Sequence, residues 1–218
     1  MLKAKRGDIR LVMGPMASGK TLELLAMVDA ERSHTPAVDD EVMFVGSSMN
    51  TRDGGFIASR AFGGGKVSVP LTVSVTRLLD VVSHPAFKAA RVLCVDELHM
   101  YPGAAADILA LSTRHSKVVI AAGLFTDKLN VPFEGIPSCL AVATTIRFKQ
   151  ARCVECSAWC GATRARVKTT GLPVTSSKDV EATGGTLVVD DTTSPLEYEP
   201  CCIEHHWAVS TPTRDDEE

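Results

Sequence analysis

Asp8-Ile9-Arg10-Leu11-Val12-Met13-Gly14-Pro15-Met16-Ala17-Ser18-Gly19-Lys20-Thr21 runs from an apolar strand, through a glycine-bounded turn, into a helical pattern. Residues Gly14 to Thr21 fit G-x-x-x-x-G-K-[ST], and strand before and helix after are the context that such a phosphate loop needs. Glycines at both ends let the backbone wrap a polyphosphate, so that successive N–H groups and the helix N-terminus point at it. Lys20 is the expected partner of the β- and γ-phosphates, and the Thr21 hydroxyl the expected Mg²⁺ ligand. The helix is predicted from Lys20 to about Arg32, with Leu24, Leu25, Met27 and Val28 on one face and Glu23 and Glu31 left in water.

Beyond this loop, short β-rich runs alternate with helical patterns up to about residue 150, which predicts α/β architecture. Strands are expected at Asp8–Met13, Glu41–Gly46, Arg91–Val95 and Lys117–Ala122, with Val67–Val73 also in the sheet. Helices are expected at Thr76–Val82 and Gly103–Leu111, and Gly63-Gly64-Gly65 reads as a loop tip. The expected fold is P-loop NTPase-like, a mostly parallel sheet with flanking helices. Its Arg91–Val95 strand ends in Asp96-Glu97. A carboxylate at that strand end suits the Mg²⁺ shell, which assigns Asp96. Glu97 projects differently because side chains alternate, so it is the candidate general base for an acceptor hydroxyl.

Length and composition restrict the alternatives. The 218 residues make one domain of about 150 residues with an appendage, and the 45% hydrophobic content is enough for a real core. No apolar run approaches the roughly 20 residues of a membrane span, and the start resembles no signal peptide. A net charge of −3 without a dense Lys/Arg block disfavours nucleic acid as the partner. Of seven cysteines, five (Cys153, Cys156, Cys160, Cys201 and Cys202) lie in the last third beside His205 and His206. That arrangement predicts a metal site in a reducing, intracellular compartment, expected to be the cytoplasm.

Cys153-Val154-Glu155-Cys156 and Cys202-Ile203-Glu204-His205 are two pairs of equal spacing, able to close a tetrahedral, structural Zn²⁺ site. Cys160, Cys201 and His206 compete for a place in it. We therefore expect three segments: residues 1–150 as the kinase-like α/β body, 151–210 as a small zinc-binding lobe, and 211–218 as an acidic disordered tail. His34, His84 and His115 read as surface or capping residues, and Trp159 and Trp207 as packing over the metal lobe.

In this order and in so short a chain, these motifs resemble the type II thymidine kinases, zinc-containing deoxynucleoside kinases of cytosol and viruses. Gly14-Pro15-Met16-Ala17-Ser18-Gly19-Lys20-Thr21 is similar to the family's GPM-F-SGK-[ST] loop, and Asn50-Thr51-Arg52 to its Asp-Thr-Arg. Asp96-Glu97 resembles the family's Asp-Glu pair, with Glu as catalytic base. Gly123-Leu124 and Pro132-Phe133 bracket a segment similar to G-L-D-x-D-F-x-x-x-P-F. Val180-Glu181-Ala182-Thr183-Gly184-Gly185 resembles the lasso V-E-V-I-G-G, which in the family grips thymine through main-chain groups. Thr163 resembles the Thr after the first zinc pair. Tyr198 is placed like the Tyr before the third ligand, a register that selects Cys202 over Cys201 and His205 over His206. The departures are Ala17 for Phe, Asn50 for Asp, Leu98-His99-Met100 for Gly-Gln-Phe, Phe125 for Asp and Lys128 for an aromatic.

The resemblance implies an ATP- and Mg²⁺-dependent kinase acting on the 5′-hydroxyl of thymidine or a close deoxypyrimidine nucleoside. It adds Asn50, Arg52 and His99 to the ATP-binding set. It assigns Met16, Leu124, Lys128, Thr163, Val180, Glu181, Ala182, Thr183, Gly184 and Tyr198 to the nucleoside pocket. The Lys128 ammonium is expected to turn outward or pair with Asp127 or Glu181. A homo-oligomer, a tetramer in the family, is implied as well. The competing reading is a catalytically silent, regulatory nucleotide-binding protein of the same fold.

Overall fold

A computed structural model describes residues 7–33, 42–60, 66–185 and 193–207. The elements that build the sheet are β1 (Ile9–Met13), α1 (Lys20–Ser33), β2 (Val42–Ser47), β3 (Phe56–Arg60), β4 (Lys66–Pro70), β5 (Val73–Val75), β6 (Val92–Val95), α2 (Ala104–Thr113), β7 (Val118–Gly123), α3 (Ile136–Val142) and β8 (Thr145–Phe148). Six strands pair in the order β5-β2-β6-β7-β1-β8, every pair parallel. Parallel strands are covered on both faces by their crossovers, and accordingly β1, β2, β6 and β7 are buried along their whole length.

Alternation sorts their side chains onto two cores. Leu11, Met13, Val45, Leu93, Val95 and Val119 meet Ile108 and Leu111 of α2 on one face. Val12, Phe44, Val92, Cys94 and Ile120 meet Leu24, Met27 and Val28 of α1 on the other.

Three details differ from the sequence expectations. The run Val67–Val73 does not form one strand of the sheet. Lys66–Pro70 pairs antiparallel with β3 in a separate ribbon, and only Val73–Val75 joins β2. The ribbon lays Ile57 and Val69 on the α1 face, so its alternation serves a different partner. The Thr76–Val82 helix is a 3₁₀ turn over Leu78–Ser83. Glu31 is not in water. It is 2% exposed and accepts from Arg10 at 3.0 Å and Arg91 at 3.5 Å. Glu41, His34, Gly63-Gly64-Gly65 and the expected acidic tail lie outside the described residues, as does the side chain of Trp207.

After β8 the chain forms β9 (Ala151–Arg152), β10 (Trp159–Cys160), β11 (Ala162–Val167), α4 (Ser177–Ala182), β12 (Leu196–Cys201) and α5 (Ile203–Trp207). The β9–β10 and β11–β12 pairs are antiparallel. Trp159 is exposed, with the Arg152 guanidinium 3.8 Å over its ring. Among the described residues no helix is long and apolar enough to cross a membrane.

Candidate active site

The carboxyl ends of β1 and β6 lie on one edge of the sheet, the place where open α/β sheets bind ligands. At the end of β1, a Cβ on Gly14 would come within 2.6 Å of the Lys149 carbonyl and 2.8 Å of Ser18 Oγ, so a side chain there would collapse the turn. Gly19, with φ +77°, and Ala17, with φ 56°, turn the backbone into the left-handed region that makes an anion-binding concavity. Lys20 opens α1 and donates to the Pro15 carbonyl at 2.7 Å. Burial lowers its pKa, and the charges of Glu97 and Asp96 oppose that shift.

Asp96 follows β6. Its Oδ2 accepts from the Thr21 hydroxyl at 3.1 Å, and its Oδ1 accepts from the Glu97 N–H at 2.9 Å. Burial, then the Glu97 charge, push its pKa up to about 7. Two oxygens this close, one hydroxyl and one carboxylate, are the hard-donor chemistry that Mg²⁺ takes, so these residues fit the ion.

Glu97 has φ 54° and ψ 46°, a left-handed conformation costly for a side chain of its size. The turn swings the carboxylate off the Asp96 side and toward Arg52, whose Nη2 donates to Oε1 at 3.2 Å. Burial works against the Arg52 charge, yet the hydrogen bond to Asp53 and the Glu97 charge hold its pKa above the usual range. Asn50 orders this turn, accepting from the Arg52 N–H at 3.2 Å and donating to Asp53 at 3.1 Å.

His99 Nδ1 lies 3.7 Å from Glu97 Oε2 and accepts from the Leu124 N–H at 3.3 Å. Burial pushes its pKa down to about 4, which leaves the imidazole neutral near pH 7. A small pocket lined by Gly46, Ser47, Asn50, Phe56 and Leu71 reaches Asp96. Tyr101 went unremarked in the sequence because it sits in an apolar stretch. It is 3% exposed, and its hydroxyl has no hydrogen-bond partner among the described residues.

The metal cluster assembles from two distant segments. The ligand atoms of Cys153, Cys156, Cys202 and His205 all lie within 4.8 Å of one another. A tetrahedron with Zn–S bonds of about 2.3 Å has edges of about 3.8 Å. Cys156 Sγ to Cys202 Sγ is 3.8 Å, while His205 Nδ1 lies 3.8 Å from Cys153 Sγ and 3.0 Å from Cys202 Sγ, on either side of the somewhat shorter sulfur–nitrogen edge, so the donor set fits zinc. Burial raises the Cys153 thiol, but N–H groups of Cys202, Cys156 and Glu155 more than reverse this and bring it to about 6. The competitors are placed elsewhere. Cys160 and Cys201 are buried in the small core of this lobe, and His206 is turned toward the backbone of Lys128 and Thr163.

With the loop, the acidic strand end and the metal cluster in place, comparison with known proteins decides the family. The thymidine kinase family model matches residues 7–206. The chain belongs to the thymidine kinase family. It is 24% identical over 205 residues to a thymidine kinase of Mycoplasma genitalium, a match spanning 94% of this chain and 85% of that protein. Membership makes the chain a phosphotransferase, and the catalytically silent reading is not favoured.

Against the family's pocket pattern, the structure brings some residues together and redirects others. The Thr163 hydroxyl accepts from the Met16 N–H at 2.9 Å, joining β11 to the phosphate loop. Lys128 does not turn outward, and among the described residues no carboxylate comes within ion-pair distance of it, although the Asp127 charge opposes the lowering of its pKa by burial. It is 1% exposed, and its ammonium donates to the Gly185 carbonyl at 2.6 Å.

The run Val180–Gly185 that resembles the family's lasso forms the end of α4 and the turn after it, the helix being opened by a capping box of Ser176 and Asp179. Its closing N–H groups are used locally: Thr183 donates to Asp179, Gly184 to Glu181 and Gly185 to Val180. Val180 and Tyr198 pack with Ala165, Val174 and Leu196.

Proposed function

We propose that this member of the thymidine kinase family transfers the γ-phosphoryl group of ATP to the 5′-hydroxyl of thymidine or a close deoxypyrimidine nucleoside. The observation that carries this reading is the left-handed turn at Glu97. It holds a carboxylate beside Arg52 while the adjacent Asp96 bonds Thr21. Metal-side and acceptor-side carboxylates are thereby separated on consecutive residues.

In this reading the loop of Gly14, Pro15, Met16, Ala17, Ser18 and Gly19 cradles the donor phosphates through the N–H groups of Ala17, Ser18 and Gly19, since Pro15 has none and that of Met16 donates to Thr163, and Lys20 exchanges its Pro15 contact for them. Thr21 and Asp96 hold Mg²⁺, which when bound offsets phosphate charge. Glu97 accepts the hydroxyl proton, and Arg52, set by Asn50 and Asp53, lies close enough to steady the anionic oxygens. Neutral His99 holds the backbone of Leu124 and leaves Glu97 as the base.

The nucleoside would lie among Met16, Leu124 and Thr163, with Val180, Glu181, Ala182, Thr183, Gly184 and Tyr198 contributing from the α4 side. Because the Thr183 and Gly184 N–H groups are spent on α4, a main-chain grip needs that last turn to open. Lys128 acts on this pocket through Gly185. Zn²⁺ at Cys153, Cys156, Cys202 and His205 is structural, since all four places are filled by protein. The division near Ala151 into a transfer body and a metal lobe is supported by β8 ending at Phe148. Homo-oligomerisation and a reducing cytoplasmic location follow the family and the free thiols.

The test is Glu97→Gln assayed with ATP and a nucleoside panel. Expected is a fall in kcat of about 10²-fold or more with ATP affinity little changed. Undiminished turnover would remove Glu97 as base, and a wild type preferring deoxyguanosine would remove the pyrimidine assignment.

A further inference from the structure

Two arginines and two glutamates stand between the two halves of the metal cluster. Glu155 lies inside the first ligand pair, between Cys153 and Cys156. Glu199 lies on β12, directly across the ladder from Arg164 on β11. The Arg164 guanidinium, 4% exposed, makes three different contacts. It donates through Nε to Glu199, through Nη2 to Glu155, and through Nη1 to the main-chain carbonyl of His205 at 3.3 Å. Arg166 reaches the same two carboxylates, Glu199 at 2.6 Å and Glu155 at 2.9 Å, but its side chain is 29% exposed, and its third contact, at 3.1 Å, goes to the Gly171 carbonyl.

We infer that Arg164 is the positioning residue of the metal centre, bracing the Cys153–Cys156 knuckle and the Cys202–His205 turn into one ligand geometry. The inference rests on the zinc reading of that cluster. Its physical basis is the planar fork, whose donors are fixed relative to one another, so a single buried group sets the knuckle, β12 and α5 at once. The charges agree. Zn²⁺ with three thiolates and a neutral imidazole carries a net negative charge, and the two flanking glutamates add to it. Arg164 and Arg166 cancel the glutamates, so the cluster is not assembled against uncompensated carboxylates. A lysine at 164 keeps the charge but supplies one compact ammonium, which cannot face Glu155, Glu199 and the His205 carbonyl in their three directions.

The experiment uses the full chain loaded with zinc and titrated with a chromophoric chelator, alongside thermal melts of the zinc-loaded and chelated forms. Arg164→Lys should weaken zinc about tenfold to a hundredfold, the usual range for groups that orient metal ligands. Arg166→Lys, being more exposed and lacking the His205 contact, should change it at most a few-fold. The gap in melting temperature between zinc-loaded and chelated protein should shrink in Arg164→Lys. A residue that only stabilised the lobe would lower both melts equally and overturn the inference. Glu199→Gln, which keeps the side-chain shape, serves if Arg164→Lys does not fold, and unchanged zinc affinity in it would overturn the inference as well. Wild-type protein without tightly held zinc would remove the zinc reading itself. Zinc-binding wild type with an equally tight Arg164→Lys would remove only the role of Arg164.

Discussion

The phosphate loop and the metal lobe both bury charge, and they treat it in opposite ways. Around Arg164 each carboxylate meets a guanidinium: Glu155 and Glu199 are each held by both Arg164 and Arg166. Around Lys20 the balance is left unfinished. Burial lowers the Lys20 pKa, Asp96 is pushed up by burial and by Glu97, and Glu97 occupies a left-handed backbone position. Ser18 Oγ and the Tyr101 hydroxyl are buried without hydrogen-bond partners among the described residues. Such arrangements cost free energy in the free protein, and they mark the region whose partners come from outside. In the metal lobe, by contrast, the Glu155 and Glu199 carboxylates are matched by arginines of the same chain.

Removing a zinc ligand is expected to show this difference at its largest. Cys153→Ser should abolish tight zinc binding and cost about 4 kcal/mol or more, since loss of a metal belongs to the few mechanisms that reach such values. Cys160→Ser, a buried thiol outside the ligand set, should cost about 1 kcal/mol and retain zinc. Elemental analysis with denaturant melts reads both. Equal losses would erase the distinction between ligand and core cysteine.

At the phosphate loop, a substitution can stabilise while it inactivates. An acid whose folded pKa is raised favours folding when protonated, so the Asp96 contribution is fully present below its ordinary 3.8 and lost as pH rises through about 7. Asp96→Asn stays neutral throughout. It should therefore melt higher than wild type at pH 8, with the advantage shrinking as pH falls from 7 toward 4, while kinase activity is lost. His99 shifts oppositely, its contribution being present above 6.5 and lost as pH falls through about 4; the two windows overlap, but His99 is common to both proteins and so drops out of their difference. A pH-independent difference in melting between Asp96→Asn and wild type would contradict the assignment of a strained carboxylate.

Lys128 should give the smallest effect on stability. Lys128→Met keeps the apolar stem volume and removes both a buried ammonium and its bond to Gly185, two changes of opposite sign. We expect a net change within about 1 kcal/mol. Faster amide hydrogen exchange at Thr183, Gly184 and Gly185, with a raised KM for nucleoside and little change in KM for ATP, should accompany it. Unaltered exchange would show that the Gly185 contact does not hold the α4 turn.

Much of this was legible because it is local. The phosphate loop is read from eight consecutive residues, Gly14 to Thr21. The Asp96-Glu97 pair follows an apolar run, and each metal pair is a four-residue spacing. What escaped depended on partners distant along the chain. The Lys66–Pro70 strand has the same alternation whether it joins the parallel sheet or pairs with β3 in a ribbon. Glu31 looked solvated because its helix position is polar, and only the approach of Arg10 and Arg91 makes its burial tolerable.

By itself, the sequence determined the chemical inventory and its spacing: a glycine-bounded loop before Lys20-Thr21, two carboxylates at a strand end, and two ligand pairs. Backbone geometry and side-chain chemistry act within a few residues, so these need no knowledge of the rest of the chain. Tertiary structure brought the four expected ligand residues together, and it alone decided where the Lys128 ammonium goes, that Thr163 meets Met16, and that Arg164 spans both halves of the cluster. Those outcomes depend on contacts between residues such as Arg164 and His205, or Lys128 and Gly185, which are far apart in the chain and are brought together only by strand order and packing.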